Sequence, residues 1–289
     1  MRREELKDLA REIRAHPRFP EAVTRATEDY IAWRVRLGVL NKVISNLARE
    51  RILEHLLYLH FGRAGDAADR GATFERLAAL SESRDRIGAR AVRTTLRLAQ
   101  IAGHVVLTRS RDDGRLRIYE PAEALLAQAG EYYFITLGVL EDLTPQFRIR
   151  SRIRGEPGFL RDMFARIGRA YLAAELRPSA AASAYAEVLR LEGARPILAT
   201  VVDCRLSRRD APSAPELARR FHVSPSQTRA VLKTVEAHGL VEMGPRGRLV
   251  NAEHLTESYL GALCRSLAFL SQHALETGVE TFRAESATN

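Results

Sequence analysis

The sequence has little cysteine, little lysine and no long apolar run. Cys204 and Cys264 lie far apart in predicted helices, so neither a disulfide framework nor a cysteine metal site is expected, and both thiols are predicted to be buried. No window approaches the roughly 20 apolar residues of a membrane span. The opening stretch MRREELKDLAREIRAH has no apolar signal-peptide core. These absences predict a cytoplasmic protein that does not enter the membrane.

Motifs that carry chemistry are missing as well. The sequence has no glycine-rich phosphate loop, no nucleophile elbow, and no cluster of histidines and acids at metal-ligand spacing. Its eight histidines are scattered, and His55 and His60 are five apart, which does not place them on one helical face. Asp112 and Asp113 are adjacent, but we expect them to form a hairpin turn beside arginines. We therefore expect no enzyme activity, no cofactor and no metal.

Positive charge is in excess. Lysine and arginine number 45 against 36 acidic residues, which gives a net charge of +9 and a pI near 10.0. Such a balance favours a polyanionic partner over an acidic-substrate enzyme. Only Lys7, Lys42 and Lys233 are lysines. The arginine bias by itself is no evidence of DNA contact.

The stretch HVSPSQTRAVLKTVEAHGLV, residues 222–241, contains the clearest signals. Ser224 suits an N-cap, Pro225 suits the first helical position and Gly239 suits the left-handed residue after a helix, so a helix is predicted over 225–238. Two sets of side chains are separated by the helical period. The inner stripe is apolar and contains Thr228, Val231, Leu232 and Val235, whereas the outer face is polar and cationic and contains Ser226, Gln227, Arg229, Ala230 and Lys233.

The flanking residues add a second helix and a hairpin. Upstream, SAPELARRF predicts a short helix that begins with the capping-box pair Ser213 and Glu216, and only HVS separates it from the next helix. Downstream, LVEMGPRGRLV predicts two short strands joined by a Gly-Pro-Arg-Gly turn. The predicted order is therefore helix, tight turn, helix and basic hairpin.

This order resembles the winged helix-turn-helix transcriptional regulators. The run from Val223 to Val241 is especially similar to the GntR family, and it is next most similar to MarR-type regulators. The resemblance covers 194–250, and ELARRF…VS…T…VLKTVEAHGLV is its most specific part. It departs from the pattern at His222, where glycine is common. The resemblance implies a bacterial DNA-binding regulator whose second short helix enters the major groove.

The same pattern occurs a second time. Residues 88–126 run parallel to 224–260, with Arg93 opposite Arg229 and Gly103 opposite Gly239. TFERLA from Thr73 likewise parallels SAPELA, and RERIL at 49–53 parallels GARPIL. The first copy has four extra residues, which we place in its turn around ESRD, and a hairpin longer by three residues. Recognition helices are predicted at about 89–102 and 225–238.

The predicted fold class is mainly α with small β-hairpin wings, as two winged helix-turn-helix modules joined and flanked by helices. Packing into a core is favoured over a dedicated dimer surface for the surrounding helices. The predicted boundaries are an N-terminal helical segment at 1–46, the first module at 47–126, a central helical linker at 127–193, the second module at 194–260, and a C-terminal helix with a tail at 261–289.

The linker residues FRIRSRIRGEPG, 147–158, alternate apolar and basic positions. This alternation predicts an edge strand with one charged face, and the alternative is a basic arm along a DNA backbone. The arginines concerned are Arg148, Arg150, Arg152 and Arg154.

Sequence-specific binding of double-stranded DNA by a transcriptional regulator is the main functional hypothesis. The chain would act as a homodimer or as a pseudo-dimeric monomer, in which case its recognition helices would lie roughly 34 Å apart. A winged-helix protein-interaction scaffold of the chromosome-organising type and a tandem winged-helix replication initiator are the alternatives. No convergent polar residues mark a pocket for an effector. The predicted DNA contacts are Arg90, Arg93, Thr94, Arg97, Ser226, Gln227, Arg229 and Lys233 on the helices, and Arg109, Arg111, Arg115, Arg246 and Arg248 on the wings.

Overall fold

A computed structural model describes residues 3–37, 41–62, 71–110, 114–156, 158–173, 183–245, 249–275 and 282. These residues are mainly helical, with two antiparallel sheets of two strands each, as the predicted fold class requires at this level. No helix in these ranges is long and apolar enough to cross a membrane. The α-helices are α1 Arg3–Ala15, α2 Phe19–Leu37, α3 Leu47–Phe61, α4 Phe74–Asp85, α5 Ala89–Ile101, α6 Glu123–Leu143, α7 Ile149–Gly155, α8 Phe159–Leu172, α9 Ala184–Val188, α10 Ala194–Leu206, α11 Ala214–Phe221, α12 Pro225–Ala237 and α13 Glu253–Ala274. The strands are β1 Val105–Arg109, β2 Arg117–Pro121, β3 Glu242–Met243 and β4 Leu249–Asn251, and Pro145–Phe147 form a 3-10 helix.

Two segments share one order of elements. We call α3, α4, α5, β1 and β2 unit 1, and α10, α11, α12, β3 and β4 unit 2. In both units the third helix is followed by a glycine with a left-handed backbone, Gly103 at φ 73° and Gly239 at φ 66°. The next residue donates its N–H back into the helix in both units, from His104 to Ala99 at 2.8 Å and from Leu240 to Val235 at 3.0 Å. The same helix ending therefore directs both chains into a hairpin.

The units differ in the length of their second helix. Helix α4 has 12 residues and α11 has 8. The four extra residues around ESRD thus form an additional helical turn, so their predicted place in the turn between helices was wrong. Arg86 and His222 follow these helices at φ 55° and 54°. Each supplies the left-handed residue that reverses the chain.

The hairpins differ as well. Strands β1 and β2 pair over five residues, from Val105 opposite Pro121 to Arg109 opposite Arg117. Strands β3 and β4 pair over a shorter stretch with an irregular register after Glu242. A single residue, Ala122 or Ala252, joins each hairpin to the long helix that follows it.

Two of the predicted domain boundaries lie within long helices. Helix α6 is continuous across 126/127, and α13 is continuous across 260/261. Both helices contribute to one hydrophobic core that also includes α1, α2, α8 and the first helix of each unit. Those two boundaries therefore fall inside continuous buried helices. The predicted tail of the last segment lies outside the described residues.

A buried arginine holds the start of unit 1. The Arg34 side chain on α2 is 1% exposed. Its Nε donates to Asn41 Oδ1 at 2.6 Å, and its Nη2 donates to the Ile44 carbonyl at 3.0 Å. Its Nη1 lies 3.2 Å from the Tyr30 hydroxyl and 3.4 Å from Glu50 Oε1 on α3. One guanidinium thereby connects α2, the loop after it and α3.

Glu50 also connects the two units. Its Oε2 lies 2.7 Å from Arg195 Nη2, at the first turn of α10. Two backbone hydrogen bonds run beside this pair, from Leu47 N–H to the Leu189 carbonyl at 2.8 Å and from Gly193 N–H to the Ser45 carbonyl at 2.7 Å. The starts of the first helices of unit 1 and unit 2 are thus fixed to each other.

Helices α3 and α8 approach closely because glycine occurs at the contact. A Cβ on Gly168 would lie 2.8 Å from the Tyr58 carbonyl oxygen and 3.1 Å from the Gly62 Cα. Real side chains do not tolerate a separation below 3.0 Å without movement. The absence of side chains at these two glycines sets the distance between the helices.

His55 lies at the centre of a buried polar cluster. It is fully buried on α3. Its Nδ1 lies 3.0 Å from Ser81 Oγ, and its Nε2 lies 3.0 Å from the Tyr171 hydroxyl and 3.1 Å from Asp85 Oδ2. Because neither His55 nor Ser81 reaches solvent, we assign this cluster to packing of α3 against α4 and α8. Burial raises the pKa of Asp85, but the hydrogen bond to His55 and the nearby guanidinium of Arg51 outweigh it and lower that pKa overall.

The two cysteines are free and buried, as expected. Burial raises the pKa of both thiols, that of Cys264 to about 11.

Candidate nucleic-acid interface

Local capping places helix α12 as predicted. The Ser224 side chain accepts the Gln227 N–H at 3.1 Å, and the Gln227 side chain accepts the Ser224 N–H at 3.2 Å. With Pro225 at the first position, this reciprocal pair begins the helix. Thr228, Val231 and Val235 are buried on its inner face. The predicted inner stripe is confirmed at these three positions, and Leu232 packs against the core while partly exposed.

The outer faces of α5 and α12 are exposed. All eight predicted helix contacts are solvent-exposed: Arg90, Arg93, Thr94, Arg97, Ser226, Gln227, Arg229 and Lys233. No helix among the described residues covers them. Within the described part of the chain, no carboxylate lies within ion-pair distance of Arg97, Arg229 or Lys233. These three cations therefore keep their charge available to an outside group.

The two faces carry basic residues at equivalent positions. Arg93 and Arg97 in α5 are four residues apart, as are Arg229 and Lys233 in α12, so each pair lies on one side of its helix. Helix α5 contains no acidic residue, and α12 contains only Glu236. Each face thus presents two adjacent cations with few acids beside them.

Some of the predicted contacts have roles within the chain. The Gln227 side chain caps its own helix, which leaves its amide nitrogen as the group free to meet a base. The Thr94 hydroxyl donates to the Arg90 carbonyl at 3.0 Å. The Arg93 guanidinium lies 4.9 Å from the centre of the Phe74 ring. These contacts orient the side chains along the helix surface.

The hairpins are described only in part. Arg109 and Arg115 are exposed beside the tip of the first hairpin. Arg111, Arg246 and Arg248, which we also predicted as wing contacts, lie outside the described residues. Arg117 is exposed opposite Arg109 and was missed in the sequence. The signal for it was the strand pairing, which brings two arginines eight positions apart to adjacent places.

Three exposed apolar side chains on the two units were also missed. Ile101 at the end of α5 is 77% exposed, and Val106 on β1 is 48% exposed. Val250 on β4 is 66% exposed. Large apolar side chains at this level of exposure suit contact with a thymine methyl group or with a protein.

The predicted basic segment at 147–158 has a different structure. Residues 149–155 form α7, so the edge strand was wrong. Arg150 makes a two-point ion pair with Asp142, with Nη1 to Oδ1 at 2.8 Å and Nη2 to Oδ2 at 3.0 Å, and its backbone N–H donates to Glu141 Oε2 at 2.7 Å. Hydrogen bonding to Asp142 raises the pKa of the Arg150 guanidinium. Acidic groups eight and nine positions earlier therefore hold this arginine in place.

The other arginines of the segment also have neighbours in the chain. Arg152 Nε lies 3.0 Å from Glu156 Oε2, and its guanidinium lies 4.4 Å from the centre of the Phe159 ring. The Arg154 guanidinium lies 4.1 Å from the centre of the Phe134 ring. Arg148 is exposed, with a left-handed backbone at φ 49°. Arg150 and Arg152 are thus paired with acids of the chain, whereas Arg148 and Arg154 are exposed, and the basic-arm alternative stays a prediction.

In comparisons with known proteins, no family model, curated protein or solved structure matches the chain.

Proposed function

We propose that the chain is a sequence-specific double-stranded DNA-binding protein, of the transcriptional-regulator class, built from two winged helix-turn-helix modules that correspond to unit 1 and unit 2. In this proposal α5 and α12 enter major grooves. Arg93, Arg97, Arg229 and Lys233 contact phosphates and base edges. The hairpin arginines Arg109, Arg115 and Arg117 contact the backbone or the adjacent minor groove.

The exposure of the outer faces of α5 and α12 carries the proposal. Had the central helices covered either face, a scaffold role would have been favoured. Both faces are instead uncovered and positive, and the net charge of +9 would attract a polyanion. The fixed junction between the starts of α3 and α10 supports the use of both modules by one chain, because it limits their relative movement.

The direct test is binding to duplex DNA across a salt series, measured by fluorescence anisotropy. The test variant replaces Arg229 and Lys233 with alanine. The control replaces Arg161 and Arg169, exposed on α8, with alanine and has the same net charge. We expect the slope of log K against log salt to become shallower by about 0.9 per lost phosphate contact in the test variant alone.

A matching variant at Arg93 and Arg97 tests unit 1 separately. Equal losses in the two test variants would mean that both modules bind DNA. Binding that is absent at low salt, or equally affected in test and control variants, would refute the proposal. That outcome favours a protein-interaction scaffold, for which the exposed Ile101 and Val106 would be the first surface to examine.

A further inference from the structure

The charged side chains on the outer faces of α5 and α12 are all hydrogen-bond donors. Over the first three turns of these helices, 89–99 and 225–235, no aspartate, glutamate or asparagine occurs. The exposed charged residues there are Arg90, Arg93 and Arg97 on α5, and Arg229 and Lys233 on α12. Guanidinium and ammonium groups donate hydrogen bonds and accept none. These side chains can therefore pair only with acceptor groups of a ligand.

Gln227 is the one amide side chain in these turns, and helix capping occupies its oxygen. Its Oε1 accepts the Ser224 N–H at 3.2 Å. Because that partner is a donor, the oxygen faces the helix start and the nitrogen is left to meet DNA. A glutamine reads adenine through both atoms at once, by accepting from N6 and donating to N7. The capped Gln227 offers the donor alone.

The exposed hydroxyls in these turns, on Thr94 and Ser226, do not select a base. A hydroxyl both donates and accepts, so it can meet any base edge. Guanine is the base whose major-groove edge carries two adjacent acceptors, N7 and O6, and no donor. Thymine offers one acceptor, whereas adenine and cytosine each present an amino group. The charged side chains of both faces therefore match guanine best.

Arg93 is also held by a ring contact. Its guanidinium lies 4.9 Å from the centre of the ring of Phe74, the first residue of α4. Such a contact restricts the side chain before any ligand binds. Arg229 is at the equivalent place in α12, but unit 2 has Ala214 where unit 1 has Phe74. Unit 1 thus orients its arginine with a contact that unit 2 lacks.

We propose that α5 and α12 read guanine in the major groove, with Arg93 and Arg229 each donating two hydrogen bonds to guanine N7 and O6. Adenine at either position would set its amino group against a donor, so the chain discriminates against it. Because the two arginines are equivalent, each half of the bound site contains a guanine. This base preference rests on the proposed DNA-binding function and deepens it.

The first experiment selects duplexes from a library with the full chain. Each duplex carries about 30 random base pairs, enough for two major-groove contacts one helical turn apart, and the bound fraction is sequenced. We expect guanine to be enriched in two clusters. Exchanging a clustered G·C pair for A·T should weaken binding about fivefold or more, as loss of a bidentate base contact does.

A base analogue separates base contact from DNA shape. The analogue 7-deazaguanine still pairs with cytosine but lacks the N7 acceptor. Placed in the selected clusters, it should weaken binding by the unaltered chain about fivefold or more.

Conservative variants test the two arginines. Arg93→Lys and Arg229→Lys keep the charge but lose the planar pair of N–H groups. We expect each variant to lose the guanine preference in one cluster, and to lose more affinity for the selected duplex than for random duplex. Arg169→Lys, exposed on α8, is the matched control and should leave the preference unchanged.

Two negative outcomes are distinct. No binding to any duplex at low salt would refute the proposed function, and guanine reading with it. Salt-dependent binding without guanine enrichment would leave DNA binding in place and show that guanine reading is wrong. A guanine preference that survives 7-deazaguanine, or survives both lysine variants, would do the same.

Discussion

Replacing Arg34 with methionine tests the junction between α2, α3 and unit 2. Methionine keeps an unbranched apolar stem of similar reach but removes the guanidinium. The side chain is 1% exposed, so solvent cannot take over its hydrogen bonds. The variant therefore leaves the partners of Arg34 in place without their donor.

The expected loss follows from those partners. Asn41 Oδ1 and the Ile44 carbonyl lose donors at 2.6 and 3.0 Å, and each unsatisfied buried acceptor costs about 1–3 kcal/mol. Glu50 is partly protected, because Arg195 remains 2.7 Å away. Relief of the buried charge offsets part of the loss. We expect the free energy of unfolding to fall by about 3 kcal/mol, at the low end of the range for breaking a buried pair.

The assay is urea and thermal unfolding followed by far-ultraviolet circular dichroism, which reports the helices and not Trp33 beside the substitution. A loss of this size corresponds to a decrease in Tm of about 5 °C for a chain of this length. Arg36→Met is the control, since Arg36 is exposed on the same helix and its loss should cost less than about 0.5 kcal/mol. Equal stability of the Arg34 and Arg36 variants would refute the reasoning.

Three further predictions concern features away from this junction. Gly168→Ala should lower the free energy of unfolding by about 1–3 kcal/mol, because its Cβ would force α3 and α8 apart, while Gly155→Ala, with open space around it, should be close to neutral in the same urea titration. Asp85→Asn should destabilise the chain at neutral pH. Because the pKa of Asp85 is lowered in the folded chain, its contribution to stability is complete above the unfolded pKa of about 3.9 and is lost as the pH falls toward the folded pKa. The urea midpoints of the variant and the parent should therefore converge in acid. Arg150→Gln should lower the free energy of unfolding by about 1–2 kcal/mol and leave the salt dependence of DNA binding unchanged. Arg148→Gln, the control, should alter the free energy of unfolding little. A shallower salt slope for Arg150→Gln would instead support the basic-arm hypothesis.

The helices beside the candidate interface were predictable because their signals are local. Ser224, Pro225 and Gly239 mark the ends of α12 within a few residues of chain, and the structure places the helix at Pro225–Ala237. Helix α5, at Ala89–Ile101, was predicted by parallel with α12. Its N-cap is Gly88, which makes no side-chain hydrogen bond, so its start had a weaker signal of its own.

The errors concern segments whose period or length fits more than one local structure. The alternation at 147–153 fits a strand by period alone, and nothing nearby shows that Asp142 will hold Arg150 on a short helix. The four extra residues of unit 1 fit a turn or a helix equally well until Arg86 is seen to reverse the chain after them. The cleft between α2, α3 and α6 was not predicted, because three helices that are separate in the sequence form its wall.

The single-residue connections after the hairpins restrict how this chain can change in length. Ala122 and Ala252 are each the single residue between a paired strand and a helix whose buried face packs in the core. One inserted residue would rotate the following helix by about 100° relative to its strand. Either Leu125 and Leu126 would leave the core or the strand pairing would slip. Insertions and deletions at these two points should therefore disrupt the fold. Changes in length should be tolerated only where they do not rotate the buried face of a helix out of the core.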